Sequence, residues 1–116
     1  MARTFKTLAV STARTIDGKK AEQVVVLDVR KSSSLVDFLV IGTALSRPHL
    51  EALEHQAEEG LLHAGLEVHH RSRPRSDSWR VLDFGGLMVH LMTAEARELY
   101  DLEKLNDDAK EVSWRN

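Results

Sequence analysis

No cysteine occurs in the chain. That excludes a disulfide framework and thiolate metal ligation, and it suits a reducing, cytoplasmic compartment. Aromatic residues are scarce: three Phe, two Trp and one Tyr in 116 residues. Nothing approaches the roughly 20 consecutive apolar residues of a membrane-spanning helix. Met1-Ala2-Arg3-Thr4-Phe5-Lys6 leads into no continuous apolar run, so no secretory signal is expected. There is no excess charge of one sign either. The net charge of −2 rules out binding to polyanions by bulk charge and leaves only local patches for that purpose. Missing too are GxGxxG, the P-loop pattern and GxSxG.

What is present is one domain's worth of patterned sequence. Phe5, Leu8, Ala9, Ala13 and Ile16 recur at helical spacing, and Asp17-Gly18 closes that helix. The run Val24-Val25-Val26-Leu27 predicts a strand buried on both faces, and Asp37–Ile41 its neighbour. Ser46 is an N-cap with Pro48 in the first turn. Leu50, Leu53, Ala57, Leu61 and Ala64 then form an apolar stripe, opposite Glu51, Glu54, Glu58 and Glu59. A short strand is expected over Leu66–His69, followed by a polar loop from Arg71 to Ser78. Trp79–Phe84 and Leu87–Met92 read as a hairpin turned by Gly85-Gly86. Thr93 caps a last helix expected to run to Leu105. The predicted fold is a single α/β domain over residues 1–106, a mixed five-stranded sheet with helices packed on it. Residues 107–116 read as a weakly ordered tail.

The chemistry-bearing residues do not assemble into a site on sequence grounds. His49, His55 and His63 lie six and eight residues apart, not the three or four of a helical metal pair. His69 and His70 are adjacent in an expected strand and face opposite ways. His90 reads as a structural histidine sharing a face with Met88 and Met92. Neither a metal nor a cofactor is expected. Asp28, Asp37 and Asp83 lie in or beside strands, where carboxylates could gather Mg²⁺, but they form no Asp-x-Asp pair. Ser32-Ser33-Ser34 has no visible base partner. Arg71, Arg73, Arg75 and Arg80 make a basic patch that either faces solvent or touches RNA phosphates.

A binding surface is the remaining candidate. Alternation puts Trp79, Val81 and Asp83 on one face of their strand and Arg80, Leu82 and Phe84 on the other. With Leu82 and Phe84 lining the core, Trp79 falls at the sheet margin. Tyr100, Glu103 and Lys104 follow on adjacent turns of the last helix. Trp and Tyr beside a charged rim make either an interaction hot spot or an ordinary piece of core.

These same residues carry a family resemblance. VVVLDVRKSSSLVDFLVI, the helix from Ser46 to Ala64-Gly65-Leu66, and the block Trp79, Asp83, Gly85, Val89-His90, Arg97, Tyr100, Leu102-Glu103 and Leu105 follow one another in order. Over Lys20 to Leu105 the chain resembles the Iojap-like ribosomal silencing factors, the RsfS family. The resemblance implies a nucleotidyltransferase-like fold without the catalytic motif, and a non-enzymatic role. It implies binding to the large ribosomal subunit through its fourteenth protein, which sterically blocks joining of the small subunit and lowers translation when nutrients are scarce. It assigns Trp79 and Tyr100 as anchors, with Asp83 and Glu103 as acidic partners of basic side chains. Arg71, Arg73 and Arg75 would add a minor ribosomal RNA contact, and an exposed sheet edge could support a homodimer off the ribosome, which no residue of the sequence decides. Three positions depart from the family pattern. Gly86 replaces a turn Asp, Ala44-Leu45-Ser46 replaces Gly-Thr-Ser, and Asn106 replaces a closing Trp for which Trp114 is a candidate substitute. The alternatives are a large-subunit assembly factor using the same interface, or a Mg²⁺-dependent nucleotidyltransferase built on Asp28, Asp37 or Asp83.

Overall fold

The computed structural model describes residues 4–68, 70–71 and 76–115. The helix α1 spans Phe5–Gly18 and is capped by the Thr4 hydroxyl, which accepts from the Thr7 N–H. Strands β1 (Glu22–Asp28) and β2 (Phe38–Ala44) follow, then α2 (Arg47–His63), capped by Ser46. Next come β3 (His70–Arg71), β4 (Trp79–Asp83) and β5 (Leu87–Thr93). Two short helices, α3 (Ala94–Tyr100) and α4 (Leu102–Leu105), lead to β6 (Lys110–Val112).

The strands form one mixed sheet in the order β3-β4-β5-β2-β1-β6. β2 and β5 run parallel, and every other described pair is antiparallel. Strand alternation sorts side chains onto two faces. On one, Val26, Phe38, Val40, Leu82, Leu87, Val89 and Leu91 pack against Leu8, Ala13 and Ile16 of α1 and Leu50, Leu53, Ala57 and Leu61 of α2. On the other, Leu27, Leu39, Ile41 and Met92 cluster with Val29, Val36, Ala96 of α3 and Leu102 of α4. Two long helices cover the first face and two short ones the second. The second face is therefore left partly open over β4 and β5, where Trp79, Val81, Asp83 and Met88 are only half-buried.

Most expected elements are found, and the mixed sheet holds the expected hairpin. The third strand lies at His70–Arg71; of the expected strand Leu66–His69, Leu66–Val68 are not in a strand and His69 lies outside the described residues. The last helix does not run unbroken to Leu105. Asp101 takes the left-handed conformation (φ 44°), ends α3 and caps α4 with its own carboxylate.

The largest departure is the tail. The weak order expected for residues 107–116 is overturned by β6, which pairs antiparallel with β1, matching Val26 to Val112 and Asp28 to Lys110. Trp114 is buried in the α1-side core, and its indole N–H donates to the Val24 carbonyl at 3.0 Å. Arg14 Nε donates to the Trp114 carbonyl at 2.8 Å. The sheet thereby gains a sixth strand, and β1 becomes an interior strand, as its continuous apolar run demands. Trp114 does not replace the absent Trp at Asn106, because it lies on the other face of the sheet from α4.

Gly85 has φ +88°, and the Phe84 N–H donates to the Leu87 carbonyl across the turn. A Cβ on Gly86 would stand 2.5 Å from the Phe5 ring. The absent side chain at Gly86 is what lets the start of α1 lie against the hairpin.

Candidate protein-binding face

β4 carries the first anchor candidate. Trp79 lies at its start, on the face away from α1 and α2, opposite Met92 of β5. Its ring stacks obliquely on Tyr100 at the end of α3, with centroids 4.5 Å apart and planes at 40°. Its indole N–H donates to Nδ1 of His90 at 3.0 Å. That bond makes Nδ1 an acceptor, so the neutral ring carries its proton on Nε2. Burial holds the His90 pKa down to about 4, since the charged form is desolvated. The pair Trp79–His90 is thus neutral at physiological pH and immobilised, while Tyr100 remains 47% exposed.

The corner between α3 and α4 adds apolar surface. Leu99 and Leu105, on the same α3–α4 segment as Tyr100, are 75% and 74% exposed. Large exposed side chains gathered on one short segment are a signature of an interaction patch rather than scattered surface apolarity. Beneath them Arg97 is buried. Its NH1 donates to the Thr43 hydroxyl at 2.9 Å, and its Nε and NH2 donate to Glu103 Oε2 at 3.2 and 2.8 Å.

The four expected site residues therefore divide. Trp79 and Tyr100 touch each other, and Glu103 is tied to the helix of Tyr100 through Arg97. Asp83 stands at the other end of β4, where its Oδ1 accepts from the Gly85 N–H at 2.9 Å and rigidifies the hairpin turn. Both Asp83 and Glu103 already have an internal partner. Leu99, Leu105 and the Arg97 clasp were not singled out as site features by sequence reasoning. The available signal was the Leu99-Tyr100 pair, since a helix that docks one face cannot bury two adjacent apolar residues beside a buried Arg97.

The basic patch is smaller than expected. Arg80 is not part of it. Its guanidinium is buried against α2, where NH1 meets Glu54 Oε1 at 2.7 Å. Glu54 accordingly belongs to the buried face of α2, not to the solvent face with Glu51 and Glu59. Arg73 and Arg75 lie outside the described residues, and Arg71 belongs to β3.

Several of the residues considered for catalysis or metal binding are engaged within the fold. Asp28 is gripped by Arg30, with NH2 to Oδ2 at 2.6 Å, and the side-chain hydrogen bonds hold its pKa down to about 2. Asp28 lines a cleft of about 410 Å³ together with Arg30, Lys31, Ser32, Asp108 and Lys110. His49 accepts from the Leu45 N–H at Nδ1 and reaches the Lys19 carbonyl with Nε2, a structural brace. Among the described residues, no group of three or more His, Cys, Asp or Glu side chains could hold a metal ion. No described helix is long and apolar enough to cross a membrane.

Comparison with known proteins places this geometry in context. A family model described as "Ribosomal silencing factor during starvation" matches residues 2–116. A ribosomal silencing factor from Treponema pallidum is 39% identical over 104 residues, which cover 86% of this chain and 90% of the relative. "Mitochondrial assembly of ribosomal large subunit protein 1" from mouse is 34% identical over 75% of this chain, a match that spans 40% of the mouse protein. A crystal structure from Bacillus halodurans superimposes with a TM-score of 0.75 at 30% identity, covering 93% of this chain and 95% of that one.

Proposed function

Given that the chain belongs to the ribosomal silencing factor family, we propose that it binds the large ribosomal subunit through the face built by Trp79 and Tyr100. The contact is with the subunit's fourteenth protein, and occupancy excludes the small subunit sterically. The observation that carries this reading is the Trp79–Tyr100 stack. A rigid, half-buried indole supports an exposed phenol ring on a segment, α3–α4, that also exposes Leu99 and Leu105. Preorganised aromatics at the centre of an apolar patch are the common composition of interaction hot spots. Asp83 and Glu103 supply carboxylates at the two ends of this face for basic side chains of the partner. Translation falls by mass action, in the cytoplasm, and no chemical step is required.

The test is co-sedimentation with isolated large subunits. Trp79→Ala and Tyr100→Ala are expected to fold and to bind at least about tenfold more weakly, since truncating a central anchor costs ~2–4 kcal/mol. Undiminished binding by both variants would place the interface elsewhere.

A second reading is supported by the likeness to the mouse assembly protein. The same face would then hold the large subunit during its maturation. Accumulation of immature large subunits in a strain lacking the protein would favour assembly, whereas normal subunits with unregulated joining would favour silencing.

A further inference from the structure

The buried guanidinium of Arg97 is placed where it can act on the partner without touching it. We infer that Arg97 is the positioning residue of the partner-binding edge, presenting both the Tyr100 ring and the Glu103 carboxylate in fixed orientation. This rests on the reading of the Trp79–Tyr100 face as the large-subunit contact.

The geometry is specific. Arg97 brackets the left-handed corner at Asp101 from both sides. Its carbonyl accepts from the Asp101 N–H at 2.9 Å, closing α3 directly after Tyr100. Its side chain reaches past the corner to Glu103 on α4, and NH1 ties the assembly to Thr43 at the end of β2. A single residue thus joins sheet, α3 and α4. Arg suits this role because its planar fork holds several acceptors in a fixed arrangement that a Lys ammonium cannot reproduce.

Only one oxygen of Glu103 is used by this clasp. Oε2 takes both Arg97 bonds, while Oε1 has no hydrogen-bond partner among the described residues, and the side chain is 38% exposed. The carboxylate is therefore held from behind and open in front. A free glutamate on a four-residue helix would lose rotamer freedom on meeting a cation. A glutamate already fixed by Arg97 has lost it in folding. The chemistry that fits Oε1 is a Lys or Arg side chain of the partner.

The experiment measures binding of the full chain to isolated bacterial large subunits at low and moderate salt. Arg97→Gln and Glu103→Gln should each weaken binding by about tenfold and flatten its salt dependence, as loss of an interfacial charge contact does. The double variant should bind no worse than Glu103→Gln alone. Trp79→Ala should weaken binding while keeping the wild-type salt dependence. Wild-type affinity and salt dependence in Arg97→Gln, or a loss fully additive with that of Glu103→Gln, would overturn the proposal. If Arg97→Gln does not fold, Thr43→Val replaces it, because Val keeps the volume and removes one acceptor. A binding loss in Thr43→Val that vanishes in the Glu103→Gln background supports the proposal, and an additive loss or no loss overturns it. If Trp79→Ala and Tyr100→Ala both bind as wild type, the assignment of the face fails and the role of Arg97 fails with it. Normal loss in Trp79→Ala with no effect at Arg97 removes this proposal alone.

Discussion

The Trp79 indole N–H donates to Nδ1 of His90 across the β4–β5 pair at 3.0 Å, and Tyr100 closes over the same indole. A histidine facing away from the main core thereby fixes the orientation of the residue proposed to meet the partner.

The burial of His90 makes stability depend on pH in a stated direction. His90 has its folded pKa lowered to about 4 by burial, against an ordinary value of 6.5. Between those values the unfolded chain binds the extra proton and the folded chain does not. The contribution is therefore complete above about pH 6.5 and is lost as pH falls toward 4, at no more than ~1.4 kcal/mol per unit. Urea midpoints measured from pH 7 to pH 4 should fall more steeply for the wild type than for His90→Gln. Trp fluorescence should change near pH 4 as protonated Nδ1 ceases to accept from Trp79. Parallel pH profiles for wild type and variant would contradict this account.

The ion pair between Arg80 and Glu54 lies deep between β4 and α2, with both side chains almost fully covered. Among the described residues, removing Glu54 leaves the buried guanidinium with only the Ser76 carbonyl and a longer, 3.5 Å contact to Glu51. Glu54→Ala is expected to cost about 3–5 kcal/mol. Replacing both with apolar residues of similar size should recover much of that loss, because no charge then remains to be desolvated. Chemical denaturation of the two variants checks both statements. A loss below ~1 kcal/mol for Glu54→Ala would mean that water reaches the guanidinium.

Trp114 closes the sheet from the C-terminal side. Trp114→Ala should destabilise the fold by about 3–5 kcal/mol, combining a cavity with the lost bond to the Val24 carbonyl. Removing residues 107–116 should do at least as much, since it also strips β6 from the β1 edge. Urea denaturation reads either change. A truncated chain as stable as the whole one would return the segment to the status of a loose tail.

The parts of this structure legible in sequence are those set by short-range pattern. The α2 stripe, the Ser46 and Thr93 caps, the Gly85-Gly86 hairpin and the core assignment of Leu82 and Phe84 depend only on periodicity and turn chemistry. Trp79 at the margin follows from the same alternation. Residues 107–116 were not legible because three residues of strand and one Trp give no period to detect. Their order comes from β1, more than eighty residues earlier. Arg80 and Glu54 were misread as surface for a related reason. Each is polar in its own segment, and burial becomes affordable only when the other arrives.

By itself, then, the sequence determined the elements, the inward face of each long one and the membership of a family. Those are properties of local spacing and of residue order, which exist before the chain folds. Only the tertiary structure decided which polar groups are internal. It placed the guanidinium of Arg97 behind Glu103, the imidazole of His90 beneath Trp79 and the indole of Trp114 under α1. Each of these depends on a partner supplied by another element, whether across a corner or from far along the chain, and a buried polar group is stable only when that partner is within hydrogen-bond reach.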